Sequence, residues 1–338
     1  MKIIHMAALL FAFSFNAKGQ SYQETARFLA GLPVGGPLQS LESSAGWMDH
    51  ANSFGNAWAK LERRQLAPIR GWSADYLREA NRSSRPVFYP FSGPDFLYAY
   101  SFFPNSDCYV LCGIEPVGSL PDVNKVPPPL IGPTLHNIEA SLNSVMNYSF
   151  FITKEMRVNL QNGPINGTLP ILYVFLARMD CDIHDVQLIS KGVKITFSHG
   201  GSGHTQTLYY FSSDLSNGGG NGPFFKLCEG LGAGTGFTKS ASYLMHQNDF
   251  SHVRNWLLDH CEAIVQDDSG VPVRNFDPAK WRLRLFGSYQ GPIDIFKQYY
   301  QPELADLYRT SNPAPLAFGI GYRGWNPKLS TLIAAFRR

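Results

Sequence analysis

Long apolar runs, paired cysteines and excess charge are all scarce in this chain of 338 residues, and each shortage removes a class of protein. Past the N-terminus the longest apolar run is ILYVFLA at 171–177, closed off by Arg178 and Asp180. That falls well short of the ~20 residues a membrane-spanning helix needs. A net charge of +3 gives the chain no electrostatic reason to seek nucleic acid. The densest basic cluster, Lys60, Arg63 and Arg64, has Glu62 inside it and reads as a solvated helix face. Five cysteines, at 108, 112, 181, 228 and 261, are too few for a disulfide scaffold and show neither C-x-x-C nor zinc-ligand spacing. Cys108 and Cys112 cannot easily join each other, because four residues of strand span roughly 13 Å. There is no G-x-S-x-G elbow and no H-E-x-x-H run, so an ordinary serine hydrolase or zincin is not supported. No cofactor motif stands out either. GLGAGTG at 230–236 follows a helical pattern rather than a strand, and Lys239-Ser240 comes too late for a phosphate loop.

What is present begins with MKIIHMAALLFAFSFNAKG, which has an early lysine, an apolar middle and small residues at Ala17 and Gly19. That layout predicts a signal peptide over 1–19, with cleavage before Gln20 and an exported, periplasmic or extracellular mature chain. Export would lower the net charge to +1, because Lys2 and Lys18 leave and no acid does. Hydrophobic residues at 44% and charged residues at 16% supply one large core or two moderate ones. Aromatics at 14% are enough to line a pocket as well.

Periodicity then orders the rest. Residues 20–84 read as a helical N-terminal segment, with Phe54, Trp58 and Leu61 on one face and a break at Pro68 and Gly71 before a second helix over 74–80. Residues 85–338 read as the main domain. FYPFSGPDFLYAYSFFP carries Ser92 and Asp95 in the S-x-x-D spacing of a capping box, ahead of a helix ending near Phe103. CYVLCGIEPVG looks like a buried strand, and Leu135, Ile138, Leu142 and Val145 mark a strongly periodic helix. ILYVFLARMD suits helix or buried strand equally. DVQLIS, GVKITFS and TQTLYYFS predict an antiparallel meander. Helices are expected over 224–231, 240–246 and 251–265, a strand over 281–289, and helix over 294–308 with a break at Pro302. The class is α+β, an antiparallel sheet packed with helices. A faint echo links Phe91-Ser92-Gly93-Pro94-Asp95 to Phe211-Ser212-Ser213-Asp214, though two shared dipeptides are a poor sign of duplication.

FYPFSGPDFLYAYSFFP, YVLCGIEPVGSLPD, YYFSSDLSN and SYLMHQNDFSHVRNWLLDHCEAIVQDDSGVP together resemble a family of uncharacterised secreted bacterial proteins, from about residue 85 onward. The resemblance implies a bacterial envelope or extracellular setting and carries no activity or catalytic residue with it.

The candidate chemistry centres on IVQDDSGVPVRNF. Asp267 and Asp268 follow what reads as the last turn of a helix, where the dipole disfavours carboxylates. Turn bonding through Asp, Ser and Gly270 is one explanation. The other is recruitment with His246 as an acid/base set. His260 falls on the apolar face of its helix and reads as a hydrogen-bonded core residue. His199 and His204 flank a glycine loop whose spacing matches no zinc motif. Phe318-Gly319-Ile320-Gly321-Tyr322 predicts a strand with a bare face that admits a ligand or another backbone. Two functions follow: an envelope protein that binds an unknown small molecule or envelope partner through an aromatic-lined cleft, or a hydrolase using Asp267 or Asp268 with His246.

Overall fold

The computed structural model describes residues 21–82, 85–148, 150 and 163–338. The segment that carries the export expectation lies outside the described residues. Helix α1 (Tyr22–Leu29) starts with a reciprocal cap: Ser21 Oγ accepts from the Glu24 N–H, and the Glu24 carboxylate accepts from the Ser21 N–H. Helix α2 (Ala45–Leu61) buries Trp47, His50, Phe54, Trp58 and Leu61 at intervals of three or four residues. The expected break at Pro68 and Gly71 is absent. The chain runs through one widened turn, Glu62–Leu66, straight into α3 (Ala67–Tyr76). Proline has no N–H to donate and its ring crowds the carbonyl one turn earlier, and a widened turn just upstream lets the helix pass it.

The other α-helices among the described residues are α4 (Phe96–Phe102), α5 (Ile131–Tyr148), α6 (Leu169–Arg178), α7 (Pro223–Leu231), α8 (Ser251–His260) and α9 (Pro302–Ser311). The strands are β1 (Val87–Tyr89), β2 (Cys108–Gly113), β3 (Cys181–Ile189), β4 (Gly192–His199), β5 (Thr205–Ser212), β6 (Gly234–Thr238), β7 (Cys261–Gln266), β8 (Trp281–Gly287) and β9 (Thr331–Arg337). Among the described residues these strands form one sheet in the order β3-β4-β5-β2-β1-β6-β7-β9-β8.

The class is α+β as expected, but the sheet is mixed rather than antiparallel. The meander β3-β4-β5 is there, and β7-β9-β8 forms a second antiparallel flank. Between them β5, β2, β1, β6 and β7 run parallel. The cause is the set of helical crossovers, α4 from β1 to β2, α7 from β5 to β6 and α8 from β6 to β7, each returning the chain to the end where it started.

Alternation along the strands feeds two cores. Val87, Tyr89, Tyr109, Leu111 and Phe237 face a large one shared with α1 to α6. Phe88, Val110 and Cys112 face a smaller one shared with Phe224, Phe225 and Cys228 of α7 and Trp256 and Leu257 of α8. The middle strands are thus covered on both sides, which is the usual condition for parallel strands.

The two sheet edges are guarded. In β3 the register slips between Ile183 and Asp185, and there the Gln23 side chain of α1 accepts from the Ile183 N–H at 2.9 Å and donates to Asp182 at 3.0 Å. At the other edge Arg282 and Arg284 of β8 lie over the Phe336 ring, at 5.6 and 5.4 Å. All five cysteines are free thiols. No described helix is long and apolar enough to cross a membrane.

Candidate functional site

Strands β1 and β6 are neighbours, yet the chain leaves them in opposite directions. After β1 it enters α4 against the large core, and after β6 it passes to α8 against the small one. Loops that part in this way open a crevice at the carboxyl ends of parallel strands, where ligands of such sheets bind. Here it measures about 420 Å³, within the range of small-molecule sites. The echo noted in the sequence converges on it: Phe91, Ser92, Gly93 and Asp95 follow β1, Ser213 and Asp214 follow β5, and all six line the crevice. Their likeness reflects a common position at strand ends.

The crevice wall holds a buried ion pair. Lys239 Nζ lies 2.8 Å from Asp95 Oδ2, with the two side chains 1% and 2% exposed. The ammonium also sits 4.1 Å from the centre of the Tyr98 ring. Asp95 further accepts from the Tyr89 hydroxyl at 2.9 Å and from the Tyr98 N–H at 3.3 Å. The helix cap is therefore Asp95 and not Ser92, whose hydroxyl instead joins the loop to Cys112 of β2. Burial pushes the Asp95 carboxyl above its ordinary range even though Lys239 opposes the shift.

Two residues beside the pair occupy backbone space that side chains avoid. Phe91 and Ser240 have φ of 60° and 55°, and each stands two positions past the end of its strand. An aromatic residue there is a true outlier. Strain of this kind costs on the order of 1–3 kcal/mol and concentrates at ligand sites. The Ser240 hydroxyl is also buried with no hydrogen-bond partner among the described residues, as are those of Thr238 and Ser242.

The aspartates meet this site from beneath. Helix α8 stops at His260 and residues 261–266 are strand β7, so Asp267 and Asp268 end a parallel strand and not a helix. Asp267 is buried. Its carboxylate accepts from the Ser269 N–H at 2.9 Å and the Ser269 hydroxyl at 2.5 Å, which is local turn bonding. It also reaches across to the Ser240 N–H at 2.8 Å, so it braces the strained turn. Asp268 is half-buried and accepts from the Tyr243 hydroxyl at 2.6 Å. Burial, then the charge of Asp267, pushes its carboxyl up to about 7. His246 bonds the Gly270 carbonyl at 3.1 Å, which requires its Nε2 to carry the proton. Burial pushes that imidazole down to about 4. His246 therefore shares the neighbourhood of the aspartates without a hydrogen bond to either among the described residues.

Gly321 is fitted to the same carboxylate. It has φ of 65°, and a Cβ there would collide with Asp267 Oδ2. Residues 318–322 form no strand; the chain turns at Gly321–Arg323 instead. Gly321→Ala is expected to lower stability by about 1–3 kcal/mol, from both the strained φ and the displaced carboxylate. Urea unfolding would read it, and a loss below a few tenths would show that the glycine is dispensable.

A larger groove, about 1050 Å³, lies elsewhere, lined by Trp58, Tyr100, Arg178, His199 and His204 among others. Of its charges, His204 meets Asp107 at 2.8 Å and Arg70 meets Glu62, while Arg178 and Asp180 form no ion pair among the described residues. His199 donates to the Met179 carbonyl at 3.1 Å. No group of three or more potential ligands able to hold a metal ion occurs among the described residues. His260 is exposed, stacked on Trp256 at 4.8 Å, rather than a core residue.

Sequence reasoning set Lys239 and Ser240 aside as too late for a phosphate loop and missed Glu115. The one available signal was Thr238-Lys239-Ser240-Ala241-Ser242, hydroxyl groups clustered around a lysine at the end of G-T-G-F-T. A scan against models of known protein families finds no match, and neither does a search of curated proteins.

Proposed function

We propose that this chain is an exported envelope protein that binds a small, largely apolar molecule in the crevice between β1 and β6. The observation that carries the reading is the coincidence of a small-molecule-sized crevice at the switch point with an unpartnered, buried Ser240 hydroxyl in its wall. Phe91 and Phe250, with ring centres 5.8 Å apart, form one apolar wall, and Tyr322 and Leu244 line it too. The strain at Phe91 and Ser240 supports the same place, since a fold retains such backbone where its shape is used. The hydrolase alternative through Asp267 or Asp268 with His246 needs a proton path from acid to imidazole. His246 commits its proton to the Gly270 carbonyl and Asp268 is engaged by Tyr243, so that reading has less support.

The neutral fluorophore prodan is expected to bind the purified protein with blue-shifted emission. Phe250→Ala should weaken it about tenfold, and His204→Ala, in the larger groove, should not. Absence of binding, or binding that ignores Phe250 and responds to His204, would reject the crevice as the site.

A further inference from the structure

Among the described residues the charges around the crevice do not balance. Lys239 is the single cation in its wall among the described residues, and it is neutralised by Asp95 at 2.8 Å. Glu115 and Asp214 also line the crevice, and neither forms an ion pair among the described residues. They are brought side by side by the sheet: Gly113 of β2 pairs with Ser212 of β5, and each acid stands two residues beyond its member of that pair. Glu115 is 4% exposed, and the one side chain that reaches its carboxylate among the described residues is Tyr210, whose hydroxyl donates to the Glu115 carbonyl at 2.8 Å and lies 3.3 Å from Oε2. Asp214 is exposed at the mouth, where it accepts from the Ser216 N–H and hydroxyl of its own turn.

The wall near Glu115 is kept bare. Gly93 faces its carboxylate with φ of 54°, and a Cβ on Gly113 would collide with Oε2. A buried carboxylate without a counter-charge is costly unless something pairs with it. Apolar and aromatic side chains surround the same space, Phe91, Phe250, Leu244 and Tyr322. Rings beside acids suit an organic cation, whose charge is also drawn to aromatic faces. The unpartnered Ser240 hydroxyl supplies a polar contact from the opposite strand.

We propose that the molecule held in this crevice is an organic cation, an amine carried on an apolar body, with its charged head at Glu115 and Asp214 and its body between Phe91, Phe250 and Leu244. This rests on the crevice being a binding site, and the experiment separates the two. Phenethylamine, 2-phenylethanol and 3-phenylpropionate, which share an aryl body and differ in head group, are competed against prodan on the purified full chain. The amine should displace prodan at about one-tenth the concentration the alcohol needs, and the carboxylate should be weakest. Glu115→Gln should bring the ratio of amine to alcohol affinity towards one. Asp214→Asn, at the exposed rim where folding is not at stake, should lower it by a smaller factor and make it less sensitive to salt. Equal displacement by amine and alcohol, preference for the carboxylate, failure of all three to displace bound prodan, or a ratio unmoved in both variants would overturn the cation assignment and leave the crevice standing. Failure of prodan itself to bind would remove the crevice reading, and the assignment with it.

Discussion

Replacing Lys239 with methionine is expected to lower the unfolding free energy by about 3–5 kcal/mol, the effect of leaving one member of a buried ion pair without the other. Asp95 would stay enclosed with its charge opposed by nothing but the Tyr89 hydroxyl and the Tyr98 N–H. Burial already lifts its carboxyl, so the variant would take up a proton on Asp95 at higher pH than the parent does. Asp95→Asn added to Lys239→Met should recover a large part of the loss, because an amide keeps an oxygen for the α4 cap and carries no charge. Denaturant midpoints of the two single variants and the double one provide the check. Additive losses would mean that the two side chains act independently, and the buried pair would then have no part in holding β1 to β6.

The second large effect is a pair of opposite pH responses. Asp268 is lifted from its ordinary range to about 7, so its contribution to stability is complete at pH 4 and is lost as the pH rises through 7. His246 is depressed to about 4, so its contribution is complete above pH 6.5 and is lost as the pH falls towards 4. Asp268→Asn should therefore gain on the parent by roughly 2–4 kcal/mol between pH 4 and 7.5, while His246→Gln should fall behind it by roughly 2–3 kcal/mol over pH 4 to 7. Urea unfolding at four or five pH values measures all three proteins. Changes of slope relative to the parent that have the same sign in both variants would show that these groups titrate elsewhere.

Several elements legible in the sequence have one-sided burial, whereas β2, buried on both faces, was read from its unbroken apolar run. The α5 stripe of Leu135, Ile138, Leu142 and Val145 has a single inward face, and the meander β3-β4-β5 alternates because one face is less enclosed than the other. Strands β1 and β6, which flank the crevice, give no such pattern. Val87–Tyr89 is three residues long and buried throughout, and Gly234–Thr238 is five residues long with two glycines. Residues 261–266 follow α8 with no proline or glycine between them, so a run of apolar side chains reads as more helix. That one misreading placed Asp267 and Asp268 at a helix end and hid their position beside the crevice.

Candidate residues fared in the same way. Asp267, Asp268 and His246 do cluster, but their hydrogen bonds run to Ser240, Tyr243 and Gly270. Lys239 and Asp95 are 144 positions apart in sequence, and what joins them is the parallel pairing of β1 with β6. No local pattern encodes that pairing, because a parallel crossover is set by packing over the whole sheet.

The guarded rims of the sheet also bear on how this protein behaves in a crowded compartment. A bare outer strand offers a template on which another chain can zip by backbone pairing, the first step of many aggregates. Here one outer strand is interrupted in register and has a backbone N–H taken by Gln23, and the other presents arginines. Both features are of the kind that disfavour self-templated fibre growth from a sheet rim.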